Sequence, residues 1–229
     1  MHLEKNLLSR PNTMKVLNYD ITDIRKQKST DNLLNFPPDI RCIICGPASC
    51  GKTNLVINFI CNPGWLNYDR LHVYSKSLFQ DKYVHLRRAF DEVCPDVATF
   101  CSSNEDIPLP EQLPAGKTAI LLDDCMIDRQ DRIERFFAYG RHVNALIFYL
   151  CQTYSRIPKR VIRDNANIII LFRQDQTNLK HVFNNHVSGD MSFEQFCNMC
   201  GEYWNSDPYG FLLIDKTKPL DRRYRRMLD

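Results

Sequence analysis

Along this 229-residue chain, short uninterrupted apolar runs alternate with stretches in which apolar residues recur every three or four positions. The runs fall at 40–45, 71–75, 98–101, 118–123, 145–151 and 168–172, and each predicts a strand. Between them, helical spacing predicts helices over 52–61, 82–93 and 131–140, with a short one near 159–164. Two further helices are expected at 178–186 and 192–203, then a last strand at 211–215. Strands that are apolar on both faces, alternating with helices, imply an α/β fold with a mainly parallel central sheet flanked by helices. Residues 1–38 lack sustained periodicity and are broken by Pro11, Pro37 and Pro38. They are expected to form an arm, partly extended or disordered, hinged at Pro37-Pro38. The domain proper is then 39–215, and 216–229 is left as a tail.

One strand-to-helix junction has its own chemistry. In CIICGPASCGKTNLVINFI, residues 42 to 60, an apolar run breaks into Gly46-Pro47-Ala48-Ser49-Cys50-Gly51-Lys52-Thr53 before the helix begins. The spacing G-x-x-x-x-G-K-T is that of a loop whose backbone amides curl round phosphates at a helix N-terminus. Lys52 is expected to reach the β- and γ-phosphates and Thr53 to place its hydroxyl on Mg²⁺, with Asn54 completing the nucleotide-binding set. The alternative, a chance match in a turn, is opposed by a strand and a helix standing where the motif needs them.

A second motif lies about seventy residues on, where 119–124 read Ala-Ile-Leu-Leu-Asp-Asp. An apolar strand ending in acid is where a P-loop enzyme keeps its metal-associated carboxylate. Asp123 is expected to hold Mg²⁺, and Asp124 to orient and deprotonate the attacking water; two solvated aspartates at a strand end are the plain alternative. A strand and a helix, 71–75 and 82–93, fit between loop and acidic pair. That spacing places the chain with the RecA/ASCE-like P-loop NTPases, which carry an added strand between the two motif strands. Gln152, closing the strand at 145–151, suits a γ-phosphate sensor or a strand-end amide bonded to backbone.

Composition narrows the setting. Hydrophobic residues make up 44% and charged residues 25%, ordinary for a globular protein. No apolar run is long enough to span a bilayer, and the N-terminus shows no secretory signal, so neither membrane nor secretion is expected. Ten cysteines without such a signal suggest reduced thiols in a cytosolic or nuclear compartment. Of the two C-x-x-C pairs, Cys42/Cys45 lies in a strand, where positions three apart face opposite ways. Cys197/Cys200 share a helix face, but with no second pair to converge on them they are taken as structural thiols. The net charge of +3 is unevenly spread: residues 216–229 carry six Lys or Arg against two Asp or Glu. Arg222, Arg223, Arg225 and Arg226 are candidates for meeting DNA phosphates, with a solvated tail as the alternative.

The loop GPASCGKT, the strand AILLDDC, the GRH after a helix, and CQTYSRIPKRVIRDNAN together resemble the poxvirus-type DNA-packaging ATPases. These are viral members of the FtsK–HerA superfamily, found in large DNA viruses, virophages and Polinton-type elements. The likeness runs from about Asp39 to Phe172, with a looser match at FLLID. It implies a Mg²⁺-dependent ATPase acting as a ring, a pentamer or hexamer of this chain, that moves double-stranded DNA into a capsid. A capsid or portal partner is implied too, as is location at the site of virus assembly in the host cytoplasm or nucleus, or on the virion. Aspartate stands at position 124 where many relatives carry glutamate. Arg141 of the GRH is a candidate arginine finger acting across a subunit boundary, expected at the ligand-bearing edge of the sheet. Arg132, Arg156, Arg160 and Arg163 are alternatives. A nucleotide kinase, a helicase and an assembly factor that binds ATP without hydrolysis are the other functions weighed.

Overall fold

The computed structural model describes residues 33–229, so most of the expected arm lies outside the described residues. The strands are β1 (Arg41–Cys45), β2 (Arg70–Ser75), β3 (Ala98–Cys101), β4 (Thr118–Asp123), β5 (Ala145–Cys151), β6 (Ile168–Leu171), β7 (Leu212–Asp215) and β8 (Tyr224–Arg226). The helices are α1 (Lys52–Cys61), α2 (Asp81–Val93), α3 (Asp131–Tyr139), α4 (Gln176–His186), α5 (Phe193–Asn205) and the single turn α6 (Leu220–Arg223). The strands make one eight-stranded sheet of order β3-β2-β4-β5-β1-β6-β7-β8. Pairing is parallel from β3 through β6 and antiparallel where β7 and β8 are added. Among the described residues no helix is long and apolar enough to cross a membrane.

Period-two alternation divides the strand side chains between two cores. Ile43, Ile120, Leu122, Ile147 and Ile169 face α3, α4 and α5, where Phe136, Val182 and Phe196 cover them. Cys42, Ile44, Leu121, Phe148 and Ile170 face α1 and α2, under Phe59 and Tyr83. Both faces being covered is the reason these strands read as continuous apolar runs. The element that separates β1 from β4 in the sheet is β5. The strand and helix that intervene in sequence, β2 and α2, lie on the far side of β4 and bring β3 with them.

Local signals account for the starts of α4 and α5. Asp175 caps α4 by accepting from Asn178 N, and Ser192 forms a reciprocal capping box with Gln195 on α5. The helix expected over 131–140 stops at Tyr139 and tightens into a 3₁₀ turn, Gly140–Val143. The short segment expected near 159–164 is a π-helical turn, Lys159–Arg163.

Two expectations about the ends are corrected. Residues 216–229 are not a loose tail: α6 leads into β8, which pairs with β7 and closes that side of the sheet. Arg223 donates to Asp190 at 2.6 Å, and the Tyr224 hydroxyl donates to the same carboxylate oxygen. Arg225 donates to the Leu34 carbonyl and lies over the Phe36 ring. Leu34 and Phe36 are themselves buried, so the packed region begins before Pro37-Pro38. A basic run conceals such a strand because aliphatic stems do the packing while the charged ends reach partners.

Asp190 is held below the ordinary carboxylate range: burial pushes its carboxyl up, but the bonds from Tyr224 and Arg223 outweigh that. A depressed carboxyl favours the fold above its unfolded value, about 3.9, and that contribution is lost as pH falls through the folded value. Replacing Arg223 by Gln should therefore cost about 1.5–3 kcal/mol at neutral pH, with the deficit shrinking in acid. Denaturant unfolding of the two proteins at pH 7 and below pH 4 checks this; a deficit independent of pH would contradict it.

Candidate active site

The loop leaving β1 is shaped by close approach. A Cβ on Gly46 would stand 2.6 Å from both Cys50 Sγ and Phe172 Cβ, so this turn admits only glycine. Ser49 and Gly51 both have positive φ, 61° and 102°, which bends the chain into a concavity ahead of α1. Gly51 is the N-cap, and no side chain caps the helix. The first amides of α1 are thereby left facing the loop's hollow, the arrangement that receives anions.

Lys52, only 8% exposed, folds back over the loop. Its Nζ donates to the Gly46 carbonyl at 2.8 Å and the Pro47 carbonyl at 2.7 Å. The ammonium is thus satisfied by backbone oxygens at the place where phosphates would compete for it. Thr53 lies one residue further on, and its hydroxyl donates to Asp123 Oδ2 at 3.1 Å. The same oxygen accepts from the Tyr83 hydroxyl of α2. Burial raises the Asp123 pKa, the Tyr83 bond counters it, and the neighbouring Asp124 charge adds to the rise. Tyr83 is in turn kept firmly protonated by burial and by the Asp123 charge, so it serves as donor. A hydroxyl and a carboxylate side by side are the hard oxygen donors Mg²⁺ takes when phosphates and water complete its shell. Thr53 and Asp123 therefore fit the ion; when bound it would neutralise phosphate charge.

The acidic pair diverges. Asp123 faces α1, whereas Asp124 adopts a left-handed backbone, φ 56°, and accepts from Ser77 Oγ at 2.7 Å in the turn after β2. Lys76 in that turn pairs with Asp128 at 2.9 Å, so the two loops are joined twice. Gln152 is exposed at the end of β5, between the phosphate loop and the acidic strand. Its carbonyl accepts from Cys45 Sγ, and Gly46 N donates to the adjacent Cys151 carbonyl, which ties the end of β5 to the loop.

Arg141 is not at the ligand-bearing edge, which corrects the expectation. Helix α3 runs back along the sheet, so its end returns to the edge where the parallel strands begin. There Arg141 is exposed and near enough to Arg41, the first residue of β1, for their charges to repel. β1 carries the chain roughly 13 Å from that edge to the phosphate loop. Among the described residues, exposed arginines at the ligand edge include Arg129, in the loop after β4 and paired with Asp131, Arg156, in the turn after β5, and Arg173, after β6, which is bonded to Asn205 and lies over Trp204. Of the four terminal arginines, Arg223 and Arg225 are engaged within the fold. Only Arg222 and Arg226 are mainly exposed, each beside an aspartate. Cys200 is buried in the core and Cys197 packs against it, and among the described residues no three His, Cys, Asp or Glu converge on a metal. Tyr83 and Ser77 are the site residues that sequence reasoning missed. Tyr83 looks like any helical core aromatic, and Ser77 like any turn serine.

These features define an α/β fold of the P-loop type. No family model and no curated protein matches the chain. Solved structures do. The genome packaging NTPase B204 from Sulfolobus turreted icosahedral virus 2, in complex with sulfate, is similar at TM-score 0.60 and 12% identity, over 83% of this chain and 96% of that one. The same protein in complex with AMPPCP gives TM-score 0.57 and 12% identity, over 83% and 98%. B204, the DNA-packaging ATPase from Sulfolobus turreted icosahedral virus, gives 0.55 and 14%, over 83% and 97%. At such identities the likeness is one of fold, and it extends over nearly the whole of the B204 chain.

Lys52 Nζ is bonded to loop carbonyls and approaches Cys50 Sγ, and Lys52 is itself a member of neither hydrophobic cluster. Replacing it by Ala should abolish ATP turnover while leaving the melting temperature within a few degrees of the wild type. Steady-state phosphate release beside a thermal melt decides this, and near-wild-type hydrolysis would remove the enzyme reading altogether.

Proposed function

We propose that this chain is a Mg²⁺-dependent ATPase that moves double-stranded viral DNA into a capsid, working as a ring of identical subunits. The observation that carries the proposal is the Lys52–Thr53–Asp123 arrangement, with Gln152 standing between its two halves. The fold shared with B204 supports genome packaging over other uses of such a site. The motifs GPASCGKT, AILLDDC and CQTYSRIPKRVIRDNAN support the narrower assignment to the poxvirus-type packaging ATPases of the FtsK–HerA superfamily.

In this reading the loop amides from Gly46 to Asn54 hold the triphosphate, and Lys52 leaves its carbonyls to neutralise the β- and γ-phosphates. Thr53 and Asp123 would hold Mg²⁺, which when bound would neutralise phosphate charge. Asp124 takes the proton of the attacking water once it leaves Ser77, and Gln152 senses the γ-phosphate. Arg141, on the opposite edge, acts on a neighbouring subunit's nucleotide or not at all; an arginine supplied in this way contributes about 10³–10⁵ in rate. Arg222 and Arg226, exposed beside Asp221 and Asp229, exchange those partners for DNA phosphates or meet an acidic portal surface. The work is done at the site of virus assembly inside the host cell.

The test is ATP turnover by the full chain with and without linear duplex DNA, alongside mass by light scattering. Turnover should rise with duplex DNA, and the active species should be a multiple of the chain mass. Asp124→Asn should still bind ATP but turn it over on the order of a hundred-fold more slowly. Turnover indifferent to DNA but raised by a nucleoside would replace the motor by a kinase.

A further inference from the structure

Beside the phosphate loop stands an aromatic ring that belongs to neither core. Tyr209 is 59% exposed although it lies in a rigid turn at the loop's flank. The turn is Asp207-Pro208-Tyr209-Gly210, with proline and glycine at the positions a type I turn favours. Gly210 N donates to the Asp207 carbonyl at 2.9 Å, and Tyr209 N donates to the Asp207 carboxylate at 2.8 Å. A Cβ on Gly210 would stand 2.4 Å from the Tyr203 carbonyl, so the turn is pressed against the end of α5. On its other side Phe211 is buried, its ring 5.2 Å from that of Phe172, the residue against which Gly46 packs.

The ring is therefore held in place by its backbone while most of its own surface faces water. It meets the loop at Gly51. A Cβ there would lie 3.2 Å from Tyr209 Cδ1 and 3.8 Å from Cγ. Gly51 begins α1, so the ring flanks the amides that face the phosphate hollow. A phenol ring carries no positive charge to offer phosphates, and its flat face suits a flat heterocycle.

We propose that Tyr209 is the base platform of this site, on which the nucleobase of a bound purine nucleoside triphosphate stacks. The assignment rests on the nucleotide reading above and adds the group that holds the other end of the ligand. Loop amides and Lys52 would hold the phosphates, and Tyr209 the base. Stacking is indifferent to ring substituents and grows with ring area, so this contact favours purines over pyrimidines without separating ATP from GTP.

The experiment is calorimetric titration of the full chain with two probes, AMPPCP and inorganic tripolyphosphate, which has no base. Tyr209→Ala should weaken AMPPCP roughly 5- to 100-fold and leave tripolyphosphate affinity unchanged. Tyr209→Leu, which keeps an apolar contact with Gly51 but no ring, should behave as the alanine variant does. Tyr209→Phe, which keeps the ring face, should restore AMPPCP affinity. Equal losses for both probes would make Tyr209 a mere support for the loop and overturn the platform. Unchanged AMPPCP affinity in the leucine variant would overturn it too. A wild-type chain that binds tripolyphosphate but not AMPPCP overturns the platform alone, whereas one that binds neither removes the nucleotide reading and the platform with it.

Discussion

The hydrogen bond from Thr53 to Asp123 depends on everything around it. The two residues are seventy positions apart, on α1 and β4, and β1, the strand that leads into α1, is not a neighbour of β4 in the sheet. They meet because β4, β5 and β1 run parallel in a fixed register, Leu122 beside Tyr149 and Cys45 beside Cys151, so that all three end at one edge. A slip of one residue between β4 and β5 would turn Asp123 to the opposite face. The two apolar cores hold that register.

The site is organised around charges that have left water. Asp123 is buried, which disfavours its ionised form, and two hydroxyls compensate in part. Lys52 is nearly as buried and is satisfied by two carbonyls that lie within the phosphate hollow. A cation poised beside a buried anion, each with only neutral partners, suits a ligand that brings both a metal and phosphates. Asp124 and Ser77 tie the same edge to β2, and Lys76 with Asp128 adds a second tie. Motion of the turn after β2 would therefore be felt at the acidic pair.

Most of the sheet was legible because its strands are buried on both faces and so appear as uninterrupted apolar runs. The strand limits at 98–101, 118–123 and 145–151 are those expected from the sequence. The phosphate loop was legible because the chemistry demands glycine at 46 and 51 and lysine at 52. What stayed hidden was whatever depends on direction or on partners. Arg141 looks close to the acidic strand in sequence, but a helix that packs antiparallel to its strand delivers it to the other edge. β8 was concealed by the arginines in and just before it, of which Arg223 meets Asp190 and Arg225 the Leu34 carbonyl. Tyr83 and Tyr209 carry no motif, and only their placement against Asp123 and Gly51 distinguishes them.

On the proposed function, Thr53 and Asp123 are a metal site already assembled before nucleotide arrives. AMPPCP affinity measured in excess Mg²⁺ and again in chelator tests it most directly. The account predicts binding at least tenfold tighter with the ion, a difference of about 1.4 kcal/mol or more, and a difference that disappears in Asp123→Asn. Equal affinity with and without Mg²⁺ in the wild-type protein would contradict it.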